Sequence, residues 1–69
     1  MARGLKMAGT DIRELRLKRG LSPEQLGHRV GVSGRTIRRV EEGRTKPTVR
    51  TMFLIALEFE CEVVDLWPL

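Results

Sequence analysis

The chain is predicted to be all-α, a compact bundle of five short helices in one small domain. Three observations carry that prediction. Apolar residues recur at helical spacing with no strand pattern, Ser or Thr stands where helices should open, and Gly20, Gly31 and Gly43 stand where helices should stop. At 69 residues the chain buries only about 60% of its unfolded surface, so its core is marginal and each cap matters.

The first helix is expected to open at Thr10 or Asp11, to run to Arg19 and to stop at Gly20, burying Ile12 and Leu15. Residues 1–9 ahead of it read as a flexible basic N-terminal arm, and residues 10–69 as the folded domain. Ser22 caps the second helix, Pro23 suits its first position, and Gln25 stands where a capping-box partner reaches back. Leu26 and Val30 face inward. Gly31 lets the chain turn through a left-handed conformation, and Val32 plugs that turn. Ser33 caps a third helix that ends at Gly43. At about 100° per residue, Ile37, Val40 and Glu41 share its inner face, while Arg35, Arg38 and Arg39 share the outer one with Thr36 at the edge. The fourth helix follows Pro47 with Thr48 as cap, and Val49, Met52, Phe53, Ala56 and Phe59 are expected to form its inner stripe. A short fifth helix near Val63 to Trp67 closes the core.

Composition removes several classes of function. No apolar run reaches the roughly 20 residues of a membrane span, and no signal-peptide pattern is present, so a cytoplasmic protein with no membrane partner is expected. Cys61 cannot form an internal disulfide and is expected to pack inward; with His28 as the single histidine, no metal site is expected either. The serines and threonines are explained as caps or outward contacts, so neither catalysis nor a cofactor is expected. Charge is the positive signal. All 13 Lys and Arg lie in residues 1–50 beside five of the nine Asp and Glu, a balance of +8, while residues 51–69 hold the other four acids and balance −4. That polarity suits a body that turns one side toward an anionic polymer.

Two capped helices joined by a glycine turn, with arginines outward on the second, outline a helix-turn-helix DNA reader. Residues 10 to 67 resemble the lambda-repressor-like, or Cro/CI-type, helix-turn-helix family, also called the xenobiotic response element family. The likeness rests on Ile12, Leu15, Arg16, Gly20-Leu21-Ser22, Gln25-Leu26, Val30-Gly31-Val32-Ser33, Ile37, Glu41-Glu42-Gly43, Lys46-Pro47-Thr48, Ile55-Ala56-Leu57 and Leu66. Three positions depart from the pattern. Pro23 replaces a phosphate-touching glutamine, Gly27 replaces alanine, and Glu60 replaces the glycine after the fourth helix, where a less sharp stop is expected.

The resemblance implies a sequence-specific regulator of transcription that binds double-stranded DNA. A small phage- or plasmid-type repressor is expected, a homodimer reading a palindromic operator through the major groove. Ser33, Arg35, Thr36 and Arg39 are assigned to base edges, with Gly34 admitting the helix terminus close to the duplex. Ser22, Arg38, Arg44, Thr45, Lys46 and Arg3 of the arm are assigned to the backbone. Arg16 and Glu41 match family positions that form a partly buried ion pair. Leu54, Leu57, Val64, Trp67 and Leu69 are assigned to a pairing surface, since the first two fall opposite Met52, Ala56 and Phe59. The competing reading is an antitoxin-type or other protein-interaction module on the same fold, whose main partner is a protein and whose DNA binding is secondary.

Overall fold

A computed structural model describes the backbone of residues 8–68 and the side chains of residues 11–68. These residues form α1 (Ala8–Lys18), α2 (Pro23–Val30), α3 (Gly34–Glu41), α4 (Val49–Glu58) and α5 (Val63–Leu66), with no strand among them. Helix α1 takes in Ala8 and Gly9 ahead of the expected start at Thr10 or Asp11, the described residues beginning at Ala8. Residues 8 and 9 therefore belong to α1, and the rest of the basic arm, Arg3 included, lies outside the described residues.

The core is built from Ile12, Leu26, Val30, Ile37, Val40, Ile55, Ala56, Phe59 and Leu66, with Leu15, Leu21, Val32 and Cys61 packed against it half-buried. In α4 the expected stripe is corrected. Met52, Ile55, Ala56 and Phe59 are buried, whereas Val49 is 65% and Phe53 60% exposed. Both stripes obey i, i+3, i+4 spacing in a helix that is apolar almost all round, and packing against α2 and α5 selects the one that begins at Met52. Leu54 also turns inward, half-buried against the core.

One turn geometry ends four helices. After α1, α2 and α3 a glycine adopts positive φ (68° at Gly20, 82° at Gly31, 74° at Gly43), and the next N–H reaches back to a carbonyl in the last turn: Leu21 to Arg16, Val32 to Gly27, Arg44 to Arg39. The helix α4 ends the same way, with Cys61 N–H on the Ala56 carbonyl and Glu60 N–H on the Leu57 carbonyl, but the left-handed residue is Glu60 at φ 57°. The stop is as sharp as the others, contrary to the sequence expectation. It carries a Cβ penalty that glycine escapes.

Arg16 and Glu41 tie α1 to α3. The guanidinium sets Nε 2.6 Å from Glu41 Oε2 and Nη2 3.1 Å from Oε1, a two-pronged pairing, and Nη1 donates to the Leu21 carbonyl at 2.9 Å. The side chains are only 8% and 6% exposed. Two further cations brace the end of α4. Arg19 donates to the Glu58 carbonyl at 3.1 Å and lies 5.6 Å from the Phe59 ring centroid, and Arg29 pairs with the Glu58 carboxylate at 2.9 Å.

Two predictions follow from this packing. Glu41→Ala or Arg16→Met leaves a buried charge alone and should cost about 3–5 kcal/mol in urea unfolding, while the double change Arg16→Met/Glu41→Leu should recover much of that loss. Melting temperatures near wild type for both single variants would rule the buried pair out. Replacing Glu60 with Gly should instead stabilise the domain by about 1 kcal/mol and raise its melting temperature by about 4–8 °C. An unchanged or lower midpoint would show that the left-handed residue carries no strain.

Candidate nucleic-acid interface

The candidate site is the α2–turn–α3 unit and the loop behind it. Ser22 starts α2 with a full capping box: its Oγ accepts the Gln25 N–H at 3.0 Å, and Gln25 Oε1 accepts the Ser22 N–H at 2.8 Å. Gly27 then lets the turn lie directly on α2, since a Cβ there would strike the Val32 carbonyl oxygen and sit 3.0 Å from the Ser33 carbonyl carbon. This contact fixes how closely α3 crosses α2. Ser33 caps α3 by accepting the Thr36 N–H at 3.1 Å, and its hydroxyl also donates to Thr36 Oγ1 at 3.1 Å. Both hydroxyls are thus engaged with each other at the mouth of the helix.

The buried residues of α3 are Gly34, Ile37 and Val40, joined by the Glu41 side chain in its ion pair. On the wheel, Arg35 and Arg39 fall at the middle of the outward face, with Arg38 and Thr36 at its two rims. All three arginines are exposed, and Thr36 is half-buried.

The arginines differ in what holds them. Arg38 pairs with Glu24 of the first turn of α2 at 2.7 Å, and Arg44 in the loop pairs with Glu42 at 3.1 Å. Among the described residues no carboxylate holds Arg35 or Arg39. Glu24 escaped the sequence analysis because its partner is fourteen positions away and only the turn brings them together. Its own backbone N–H, then Arg38, hold the Glu24 carboxyl below the usual carboxylate range, so it is ionised at neutral pH.

Gly34 serves this carboxylate. A Cβ at Gly34 would lie 2.8 Å from Glu24 Cγ, Cδ and Oε2, so the space over the first residue of α3 is already filled by Glu24. The bare helix terminus expected at Gly34 is therefore covered. The loop beyond α3 begins at the end of the arginine face, where Arg44 N–H bonds the Arg39 carbonyl. Thr45 and Lys46 are exposed and Pro47 is buried beside them.

The surface assigned to pairing is also redrawn. Leu57 and Val64 are exposed as expected, at 73% and 48%. Leu54 and Trp67 pack half-buried against the core instead, since α4 buries the stripe that includes Ile55 and Trp67 caps α5 against that core, and Leu69 lies outside the described residues. Phe53 takes their place, lining with Leu57, Val63 and Val64 a shallow groove between α4 and α5. Among the described residues no cluster of His, Cys, Asp and Glu could hold a metal ion, and no helix is long and apolar enough to cross a membrane.

A family model described as helix-turn-helix matches residues 12–66. Two proteins of Archaeoglobus fulgidus named as uncharacterized HTH-type transcriptional regulators are similar in sequence. One is 40% identical over 58 residues, which cover 84% of this chain and 83% of the relative. The other is 34% identical over 58 residues, covering 84% and 82%. No solved structure matches the chain significantly.

Proposed function

The chain belongs to the helix-turn-helix family of transcriptional regulators, and from that premise we propose that it reads a specific operator in double-stranded DNA as a two-fold dimer and represses by occupying it. The observation that carries the reading is the pair Arg35 and Arg39, side by side and uncommitted on a helix whose opposite face is locked into the core. Each guanidinium can present two N–H groups to guanine O6 and N7 in the major groove, the commonest specific contact there. Thr36 and Ser33 flank them as secondary base contacts. Ser22, Arg38, Arg44, Thr45 and Lys46 then serve the phosphates on either side, a role that fixes register without reading sequence.

The test is selection of genomic fragments by the purified protein, followed by binding to the motif recovered. Arg35→Ala should weaken binding to that motif by about 1–3 kcal/mol and relax base preference at one position. Unchanged affinity and unchanged preference would remove Arg35 from the bases.

Pairing is proposed through Phe53, Leu57 and Val64, three exposed large apolar residues at the α4–α5 groove. Helix α3 packs on α1 and α2, so a partner on α4 and α5 leaves the reading face open. Leu57→Glu should abolish dimers in sedimentation with and without the selected duplex. A wild type that stays monomeric in both conditions, or a variant that pairs equally well, would overturn this interface.

A further inference from the structure

Two of the arginines assigned to phosphate differ from the two assigned to bases. Arg38 and Arg44, on the phosphate side, are each held by an exposed carboxylate, whereas Arg35 and Arg39 are not. We infer that Glu24 and Glu42 act as built-in competitors for the DNA backbone, setting how tightly this protein holds any duplex regardless of sequence. The inference rests on the DNA-binding reading above.

The argument is electrostatic and geometric. Backbone affinity comes from cations that neutralise phosphates and release counterions, and it supplies essentially all binding to non-specific DNA. An arginine already paired with a carboxylate must exchange that partner before it can take a phosphate. Glu24 adds a second obstacle. Its side chain fills the space over Gly34, at the N-terminus of α3, where the free N–H groups and helix dipole would otherwise attract a phosphate oxygen. A phosphate that approached Arg38 from this side would meet a carboxylate first. Exposed ion pairs are weak, so the carboxylates lower affinity without abolishing it. The uncommitted Arg35 and Arg39 keep their full donor sets for base edges.

The test needs no operator. The full chain and the variants Glu24→Gln, Glu42→Gln and the double variant are titrated against a short duplex of arbitrary sequence over a range of salt concentrations, by fluorescence anisotropy. Glu58→Gln, which makes the same change of net charge beside Arg29 at the end of α4, is the control. Each of the two Glu→Gln changes on the reading side should tighten binding about two- to fivefold and steepen the dependence of log affinity on log salt by up to about one unit. The double variant should show both effects, and Glu58→Gln should show neither. Equal or weaker binding by Glu24→Gln would overturn the inference, weaker binding meaning that Glu24 orients Arg38 instead of withholding it. Equal tightening by Glu58→Gln would also overturn it, by tracing the effect to net charge alone. A wild type that binds no duplex even at low salt would overturn the proposed function itself, and this inference with it.

Discussion

The buried Arg16–Glu41 pair is the constraint on which the reading face depends. One guanidinium reaches three segments at once: its own helix α1, the turn after it through the Leu21 carbonyl, and the last turn of α3 through both oxygens of Glu41. Glu41 lies on the same inner arc as Ile37 and Val40, so fixing it fixes the rotation of α3 about its axis. That rotation decides which side chains point outward. Apolar packing alone would hold α3 against the core yet tolerate small rolls, because Ile and Val contacts are not directional. A two-pronged ion pair is directional, and when buried it leaves no alternative partner for either charge. Arg35 and Arg39 are therefore presented by the far side of a helix that cannot turn cheaply.

Much of this was legible in the sequence because it is local. The caps at Ser22, Ser33 and Thr48 and the glycine stops at Gly20, Gly31 and Gly43 depend on residues within one turn of each other, and the structure places them as the sequence implies. The inner faces of α1 to α3 were readable for the same reason. In α4 the signal fails, since VRTMFLIALE offers apolar residues on nearly every side and only contact with α2 and α5 decides which stripe is buried. Glu60 could not be read as a left-handed residue, for nothing in its identity favours that conformation; the pull of the Ala56 and Leu57 carbonyls imposes it. The Arg16–Glu41 pair spans 25 positions, so resemblance to a family could suggest it where spacing could not. Glu24 and Arg38, drawn together by the turn, had no such help.

Charge shows how far a sum can mislead. The first fifty residues balance +8, which reads as a broad cationic surface. In the folded chain Arg16 is buried with Glu41, Arg19 is spent on the Glu58 carbonyl and the Phe59 ring, and Arg29 is paired with Glu58. Those three cations belong to the scaffold. Arg38 and Arg44 face outward but are locally balanced. On α3 and the loop after it, Arg35, Arg39 and Lys46 are the cations that no carboxylate among the described residues holds, a narrower feature than the sum implies. A narrow feature favours alignment over sheer attraction, because long-range steering scales with net field while recognition depends on where the donors sit.

Stability and assembly are coupled by the same economy of size. A domain this small has a marginal core, yet it leaves about half or more of Phe53, Leu57 and Val64 in solvent at the α4–α5 groove, where they add little to the monomer. If that face is covered by a second copy, whatever binds the paired form draws folding along with it by mass action. A duplex carrying two half-sites binds both copies at once, so it would raise the population of the folded pair beyond what either contact surface achieves alone. Folding, pairing and reading then become linked equilibria. A mutation in the α4–α5 groove could lower operator occupancy without touching a single DNA contact, and a stabilising change remote from α3, such as one at the end of α4, could raise it.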